Sequence, residues 1–256
     1  AQIEGTLNVA LSPSIIAEHS TIEKLAALIA DHAVIPSPNP SVVLRAAAGG
    51  RPLFLVHDGP GNVAVYGQLS RRLPDRPIYA LQAIGLRGES WPLMSIPAMA
   101  GRYIREVMAV DPTGPYMLAG RCVGGLIAFE MARQLVRQGR SVGLVVLIDS
   151  NYPVPSGRRL RWTERAVMGP LHDISRILRW GIAGAMGLRR NVHWLPAYRR
   201  FVAQMIARAR RAYKPAFYPG TITLVLAGNA HFPGEDPRLM MARYARQTHT
   251  INIPGN

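Results

Sequence analysis

Gly120-Arg121-Cys122-Val123-Gly124-Gly125 is the stretch on which the reading of the whole chain turns. An apolar run, Tyr116-Met117-Leu118-Ala119, precedes it and reads as a short buried strand. Residues 126–136 follow it with the periodicity of a helix. Strand, tight glycine-flanked turn, helix is the context of a nucleophile elbow. A side chain at Gly120 or Gly124 would collide with the neighbouring strand or helix, so this pair leaves room for a strained turn. Such a turn lifts one side chain over the sheet, beside a helix N-terminus. The usual centre of the pattern is Ser; here it is Cys122.

A thiol suits that place. The positive end of a helix dipole favours a thiolate. The Val123 N–H points into the same space and is positioned to stabilise an oxyanion. The competing reading is an inert core cysteine, the commonest fate of a lone Cys. The flanking elements, and the motifs below, favour the nucleophile.

With 256 residues and 48% hydrophobic content, the chain can build one large core and a small appendage. No apolar run reaches the roughly 18 residues of a membrane span. The opening, Ala1-Gln2-Ile3-Glu4-Gly5, lacks the charged and apolar regions of a signal peptide. A single Cys excludes an internal disulfide framework and fits a reducing cytoplasm. The expectation is a cytoplasmic protein with no membrane partner. The net charge of +15 is carried almost entirely by Arg, with Lys only at Lys24 and Lys214. An excess of that size suggests an anionic partner. Nucleic acid would rest on charge alone, because no helix-turn-helix, zinc ligand set or aromatic-basic pattern is present. Scattered surface arginines are also what a biased genome would produce. No metal site is expected.

Residues 1–32 differ from the rest. A short extended stretch, residues 7–13, is followed by a helix start at Ser20-Thr21-Ile22-Glu23, where Ser20 and Glu23 have the spacing of a capping box. Ile22, Leu25, Ala26, Leu28 and Ile29 form its apolar face. The segment resembles the last third of an acyl or peptidyl carrier domain, without the Ser that carries phosphopantetheine. An ordinary N-terminal helix is the alternative. Residues 33–41 form a Pro-rich linker, stiff and extended, and the main domain runs over 42–256.

Along that domain, strands are expected at 42–45, 52–56, 77–81, 116–119, 144–148, 221–227 and 249–253. Helices are expected at 63–73, 96–110, 123–137 and 237–246, with Asn62 and Asp236 as caps. Alternating helices and unbroken apolar strands mean a mostly parallel sheet covered on both faces. The order resembles an α/β-hydrolase. The motifs Pro52-Leu53-Phe54-Leu55-Val56-His57, Pro77-Ile78-Tyr79-Ala80-Leu81-Gln82, Gly114-Pro115-Tyr116, Phe129-Glu130-Met131-Ala132-Arg133-Gln134-Leu135 and Tyr213-Lys214-Pro215-Ala216-Phe217-Tyr218-Pro219-Gly220 narrow the likeness. They resemble the type I thioesterase domains that terminate nonribosomal peptide and polyketide synthases. The match is weakest over 155–210.

The resemblance implies an α/β-hydrolase fold with a helical lid at about 155–211, rich in Arg. Those arginines would attract an anionic phosphopantetheine arm, an acidic carrier surface or an anionic substrate. It implies Cys122 as nucleophile and Asp149, at the end of the strand after the elbow helix, as the acid that orients the base. Capping of the following turn is the plainer role for Asp149. The family's His follows the last strand in Pro-Gly-x-His; here Pro254-Gly255-Asn256 stops one residue short. The base is therefore expected just after Asn256, with His231 as the fallback. His249 should lie too far down its strand, and His57 should be structural. Gly59 and Val123 are the expected oxyanion donors. Asp58 stands where a Pro is common, and a supporting polar contact is open to it.

The implied chemistry is acyl transfer from a carrier thioester onto Cys122. Release follows, favoured as closure of a strained ring, a β-lactam or β-lactone, over hydrolysis or macrocyclisation. The domain itself would bind no cofactor; the substrate arrives on the phosphopantetheine of the upstream peptidyl carrier domain. A non-catalytic carrier-docking module and a stand-alone editing thioesterase are the other readings.

Overall fold

Strand β2 (Leu53–Val56) is buried at every position, and its side chains divide between two cores. Phe54 and Val56 join a large apolar cluster with helices on one face of the sheet. Leu53 and Leu55 join a smaller cluster with Val42, Val63, Tyr66, Ile78, Ala80 and Ala119 on the other. Alternate residues of a strand point to opposite faces, so a strand covered on both sides reads as a continuous apolar run.

The computed structural model describes residues 21–30, 40–47, 49–86, 90–150, 196–228 and 236–254. In chain order the elements are α1 (Ile22–Ala30), β1 (Ser41–Arg45), β2, a 3-10 turn (Ala64–Tyr66), α2 (Gly67–Arg72), β3 (Ile78–Leu81) and α3 (Ile96–Val110). Then come β4 (Tyr116–Arg121), α4 (Val123–Arg137), β5 (Val142–Ile148), α5 (Pro196–Ala212), β6 (Tyr218–Ala227), α6 (Pro237–Ala242) and β7 (Ala245–Ile253). The sheet order is β1-β3-β2-β4-β5-β6-β7. Only β1 is antiparallel to its neighbour. This is the architecture that the α/β-hydrolase resemblance implies.

Connections from β2 run outward on one side to β3, while β4 begins the run to the other side. The crevice between β2 and β4 is thus a topological switch point, where loops leave toward opposite faces and a site can open. Helix α4 lies under it, its residues buried from Val123 to Ala132. Two of the sequence motifs meet on this helix. Tyr213, just after α5, donates its hydroxyl to Glu130 Oε2 at 2.8 Å, and Tyr218 packs its ring against Phe129 with centroids 5.9 Å apart. Gln134 completes the tie, donating to Glu130 Oε1 and to Pro97 O of α3, each at 3.0 Å.

Several boundaries move. Thr21 caps α1, its Oγ1 accepting from Lys24 N at 3.2 Å. Ser20 and the rest of residues 1–20 lie outside the described residues, as do 31–39, which hold most of the linker expected at 33–41, and 151–195, which hold most of the lid expected at 155–211; Ser41 already opens β1. Asn62 Oδ1 accepts from Ala64 N at 3.1 Å, but the helix it starts opens as a 3-10 turn. Asp236 caps α6 through Arg238 N at 2.8 Å. That helix ends at Ala242, and β7 begins at Ala245, four residues before the expected start. Arg246 and Gln247 are exposed and polar, so hydrophobic pattern does not mark them. Pairing with β6 through Thr221↔Gln247 and Ile222↔Thr248 recruits them instead.

Candidate active site

The registers fix the geometry of the rim. Arg121 pairs with Ile148, so Cys122 and Asp149 each stand one residue past a matched pair on neighbouring strands. Val56 pairs with Gly120, which sets the loop beginning at His57 on the other side of the nucleophile turn. Cys122 and Asp149 are the non-glycine residues with positive φ among the described residues, at 54° and 44°. Cys122 combines that φ with ψ −121°, a conformation that costs of order 1–3 kcal/mol and persists only where its surroundings enforce it.

The enforcement is visible. Cys122 N–H donates to Ile148 O at 2.9 Å, and Gly125 N–H to Cys122 O at 3.3 Å. A Cβ on Gly120 would lie 2.2 Å from Gly124 C. A Cβ on Gly124 would lie 2.4 Å from both Val56 O and His57 O. One on Gly125 would strike Ser150 Oγ at 2.1 Å. The doubled glycine therefore serves two strands: Gly124 admits the end of β2, and Gly125 admits the residue after Asp149.

Asp149 is held by β6. Its N–H donates to Val225 O at 2.9 Å, and its Oδ1 accepts from Ala227 N at 2.8 Å. Cys122 itself is partly exposed, as a reacting atom must be. Val123 N–H, at the first position of α4, has no intrahelical acceptor. Among the described residues, neither it nor Gly59 N–H makes a backbone hydrogen bond. Space beside Gly59 is open, with nothing within 4 Å of an added Cβ.

His57 is fully buried and is not placed to act as a base. Its Nδ1 contacts Asp58 O at 2.8 Å, and a carbonyl only accepts, so Nδ1 carries the proton. Nε2 then accepts from Tyr103 Oη at 2.9 Å. Burial lowers its pKa from 6.5 to about 4, against the opposing pull of the Asp58 carbonyl, so the ring is neutral near pH 7. His249 sits in the middle of β7, paired with Thr223, whereas the rim of that pair of strands is at Ala227↔Ile253. Four residues of strand put it about 13 Å below the rim. His231 lies outside the described residues, and so does Asn256.

Two residues that hydrophobic pattern and motif did not single out complete the rim. Tyr66 donates its hydroxyl to Val56 O at 2.6 Å and accepts from Arg121 N at 2.9 Å, bridging the ends of β2 and β4. Burial raises its pKa far enough to keep the phenol protonated for this role. Arg121 reaches back across the crevice to Asp58, Nη1 to Oδ2 at 3.3 Å. No apolar periodicity marks either contact, since both are polar and join segments 55 and 63 residues apart.

The chain matches the thioesterase domain family over residues 51–245. It is 44% identical over 103 residues to polyketide synthase PksR of Bacillus subtilis (strain 168), covering 40% of this chain and 4% of PksR. It is 36% identical over 165 residues to the nonribosomal peptide synthetase apvA of Aspergillus terreus (strain NIH 2624 / FGSC A1156), covering 63% of this chain and 17% of that protein. The chain thus spans only 4% to 17% of the length of these two relatives. Among solved structures, a four-domain nonribosomal peptide synthetase bound to AMP and glycine superposes with a TM-score of 0.67 at 24% identity, over 100% of this chain and 21% of that one. The NocB thioesterase domain, in covalent complex with a fluorophosphonate nocardicin G analogue, superposes at 0.60 and 24% identity, over 82% of this chain and 86% of that one. These likenesses speak to the fold, which is that of an α/β-hydrolase. The chain belongs to the thioesterase domain family.

Proposed function

We propose that this domain is the chain-releasing thioesterase of a nonribosomal peptide or polyketide assembly line, with Cys122 as its nucleophile. The carrying observation is the strained, partly exposed Cys122, one residue past the Arg121↔Ile148 pair, with Asp149 in the matching place on β5. A core cysteine has no reason to sit in such a conformation. The relatives that share the sequence are polyketide and nonribosomal peptide synthases, which favours a carrier-delivered acyl chain over a free ester.

In this reading the Cys122 thiolate attacks the carbonyl carbon of a thioester. The oxyanion is met by the Val123 and Gly59 N–H groups. The bond to the carrier's sulfur breaks, the carrier thiol leaves with the proton, and the acyl group rests on Cys122. A nucleophile then attacks the acyl carbon and frees the Cys122 thiol. Thiol-to-thiol transfer is nearly level in free energy, so a Cys keeps the acyl group activated where a Ser ester would not. That retained driving force favours an internal amine or hydroxyl closing a strained ring. We assign the base to a His following Asn256. The C-terminal end of β7 supports this, because Ile253 pairs with Ala227, whose N–H holds the Asp149 carboxylate. The segment containing α1 is assigned to the tail of an upstream peptidyl carrier domain, the source of the substrate.

The test is to supply the intact protein with an acyl thioester of a small thiol and follow thiol release and product mass. Wild type should release thiol and give a product one water lighter than the free acid. Cys122→Ala should release none. A free acid as sole product would leave the thioesterase and replace ring closure with hydrolysis. Turnover by Cys122→Ala at the wild-type rate would overturn the nucleophile assignment.

A further inference from the structure

Asp58 is a buried carboxylate only half satisfied. Its Oδ2 meets Arg121 Nη1 at 3.3 Å, while its Oδ1 is shielded and has no hydrogen-bond partner among the described residues. A buried polar atom left unpaired costs about 1–3 kcal/mol, so its retention calls for a reason. Asp58 also belongs to a tight turn, with Gly61 N–H donating to Asp58 O at 2.9 Å and His57 Nδ1 to the same carbonyl at 2.8 Å. Whatever holds Asp58 therefore holds the backbone of the next residue, Gly59. Arg121 in turn is the residue before the nucleophile.

We propose that the Asp58–Arg121 pair is a clamp across the crevice, holding the loop after β2 against the nucleophile turn so that Gly59 N–H is aimed at the developing oxyanion. The two residues are positioning residues and touch no reacting atom. The inference rests on the reading of Cys122 as nucleophile and goes beyond it. Three features of the structure carry it. The pair joins the two segments that would supply the two oxyanion amides. Tyr66 makes a second, neutral tie between the same strand ends, Val56 O and Arg121 N. Among the described residues nothing lies within 4 Å of a Cβ added at Gly59, so no packing on that side fixes its place and the neighbouring Asp58 does. Burial raises the Asp58 pKa, and the Arg121 charge and the residue's own backbone N–H oppose that rise.

Two reactions at the same sulfur separate this from a general structural role. Acylation by a thioester passes through an oxyanion. Alkylation by iodoacetamide needs the thiolate but no oxyanion hole. In the intact protein, Asp58→Asn and Arg121→Gln should each slow single-turnover acylation about tenfold to a hundredfold, the effect of a misplaced catalytic group. Alkylation of Cys122 should stay within about twofold of wild type. The double variant should be no slower than either single one, as for partners of one interaction. Arg121→Lys should recover most of the rate, since the contact is a single N···O pair that an ammonium can make. Acylation unchanged in both single variants would overturn the clamp. So would alkylation falling in parallel with acylation, or losses that multiply in the double variant. Cys122→Ala is the control on the underlying reading: if it still acylates, that reading fails. If it is inert while the clamp variants are fast, only the clamp fails.

Discussion

Glu130 and Asp58 are both buried carboxylates beside helix α4, exposed by only 4% and 9%, and the fold treats them in opposite ways. Glu130 is fully engaged. Tyr213 and Arg133 donate to its Oε2 and Gln134 to its Oε1, and the three donors tie α3, α4 and the segment after α5 together. Among the described residues, Asp58 has one cation on one oxygen and no partner on the other. A fold that can satisfy a buried acid completely at the middle of a helix has left one short at its N-terminal end, beside the nucleophile. The same contrast holds for the backbone. The middle of α4 is regular helix, while its first turn is entered through a φ of 54° that glycine neighbours make possible. For these two acids, full satisfaction goes with the scaffold and shortfall with the rim of the site; Tyr116 Oη and Thr248 Oγ1, also buried without a partner among the described residues, lie away from it.

The largest effect that would sharpen this contrast is expected at Gly124. In Gly124→Ala the new methyl would meet Val56 O and His57 O at 2.4 Å, both backbone atoms that cannot swing away. Loss of more than about 4 kcal/mol, seen as failure to fold or a collapse in denaturant midpoint, is expected. Glu130→Ala comes next. It leaves the partly buried Arg133 without its carboxylate, and breaking a buried pair of this kind costs about 3 kcal/mol. Tyr213→Phe, which removes one donor of the same cluster, should cost about 1–1.5 kcal/mol. Both are read as shifts in chemical unfolding, with Cys122 alkylation unchanged wherever the protein is folded. A Glu130→Ala protein as stable as wild type would break the comparison.

His57 gives the comparison a pH axis. Its folded pKa of about 4 lies below the ordinary 6.5, so the unfolded chain takes the proton first as pH falls. The neutral ring's contribution is whole above pH 6.5 and is lost between 6.5 and about 4, at about 1.4 kcal/mol per pH unit. His57→Gln should flatten that slope. The smallest effect on stability belongs to Asp58→Asn. Its raised pKa means that the folded state binds the proton more readily, so the ionised carboxylate weakens the fold above that value. Replacing it should change stability by less than about 1 kcal/mol near pH 7 while slowing acylation. A large destabilisation would place Asp58 with Glu130 among the scaffold residues.

Much of this was legible in the chain. The fully buried strand β2, the largely buried β3 and the helix after the turn announce themselves by unbroken or periodic apolar residues, and the glycine spacing marks the turn at Cys122. The place of Asp149, at the end of the strand after that helix, follows from the order of the elements; a role for it comes from the family resemblance alone. What hid were contacts made by polar groups across the crevice. Tyr66 bridging Val56 and Arg121, and Arg121 reaching Asp58, depend on β2 and β4 being neighbours, which sequence order does not state. The early part of β7 hid for a related reason: Arg246 and Gln247 carry no apolar alternation and are strand only because β6 lies beside them. The doubling Gly124-Gly125 was a visible signal whose second half went unread, because its reason, Ser150, lies 25 residues away.

The site as a whole stands on transfer of an acyl group to Cys122. Digestion of the intact protein after brief exposure to a carrier-bound acyl thioester, followed by mass mapping, tests it most directly. The peptide containing Cys122 should carry the acyl mass, removable by hydroxylamine as a thioester is. An unmodified Cys122 peptide in a protein that nonetheless consumes the thioester would contradict it.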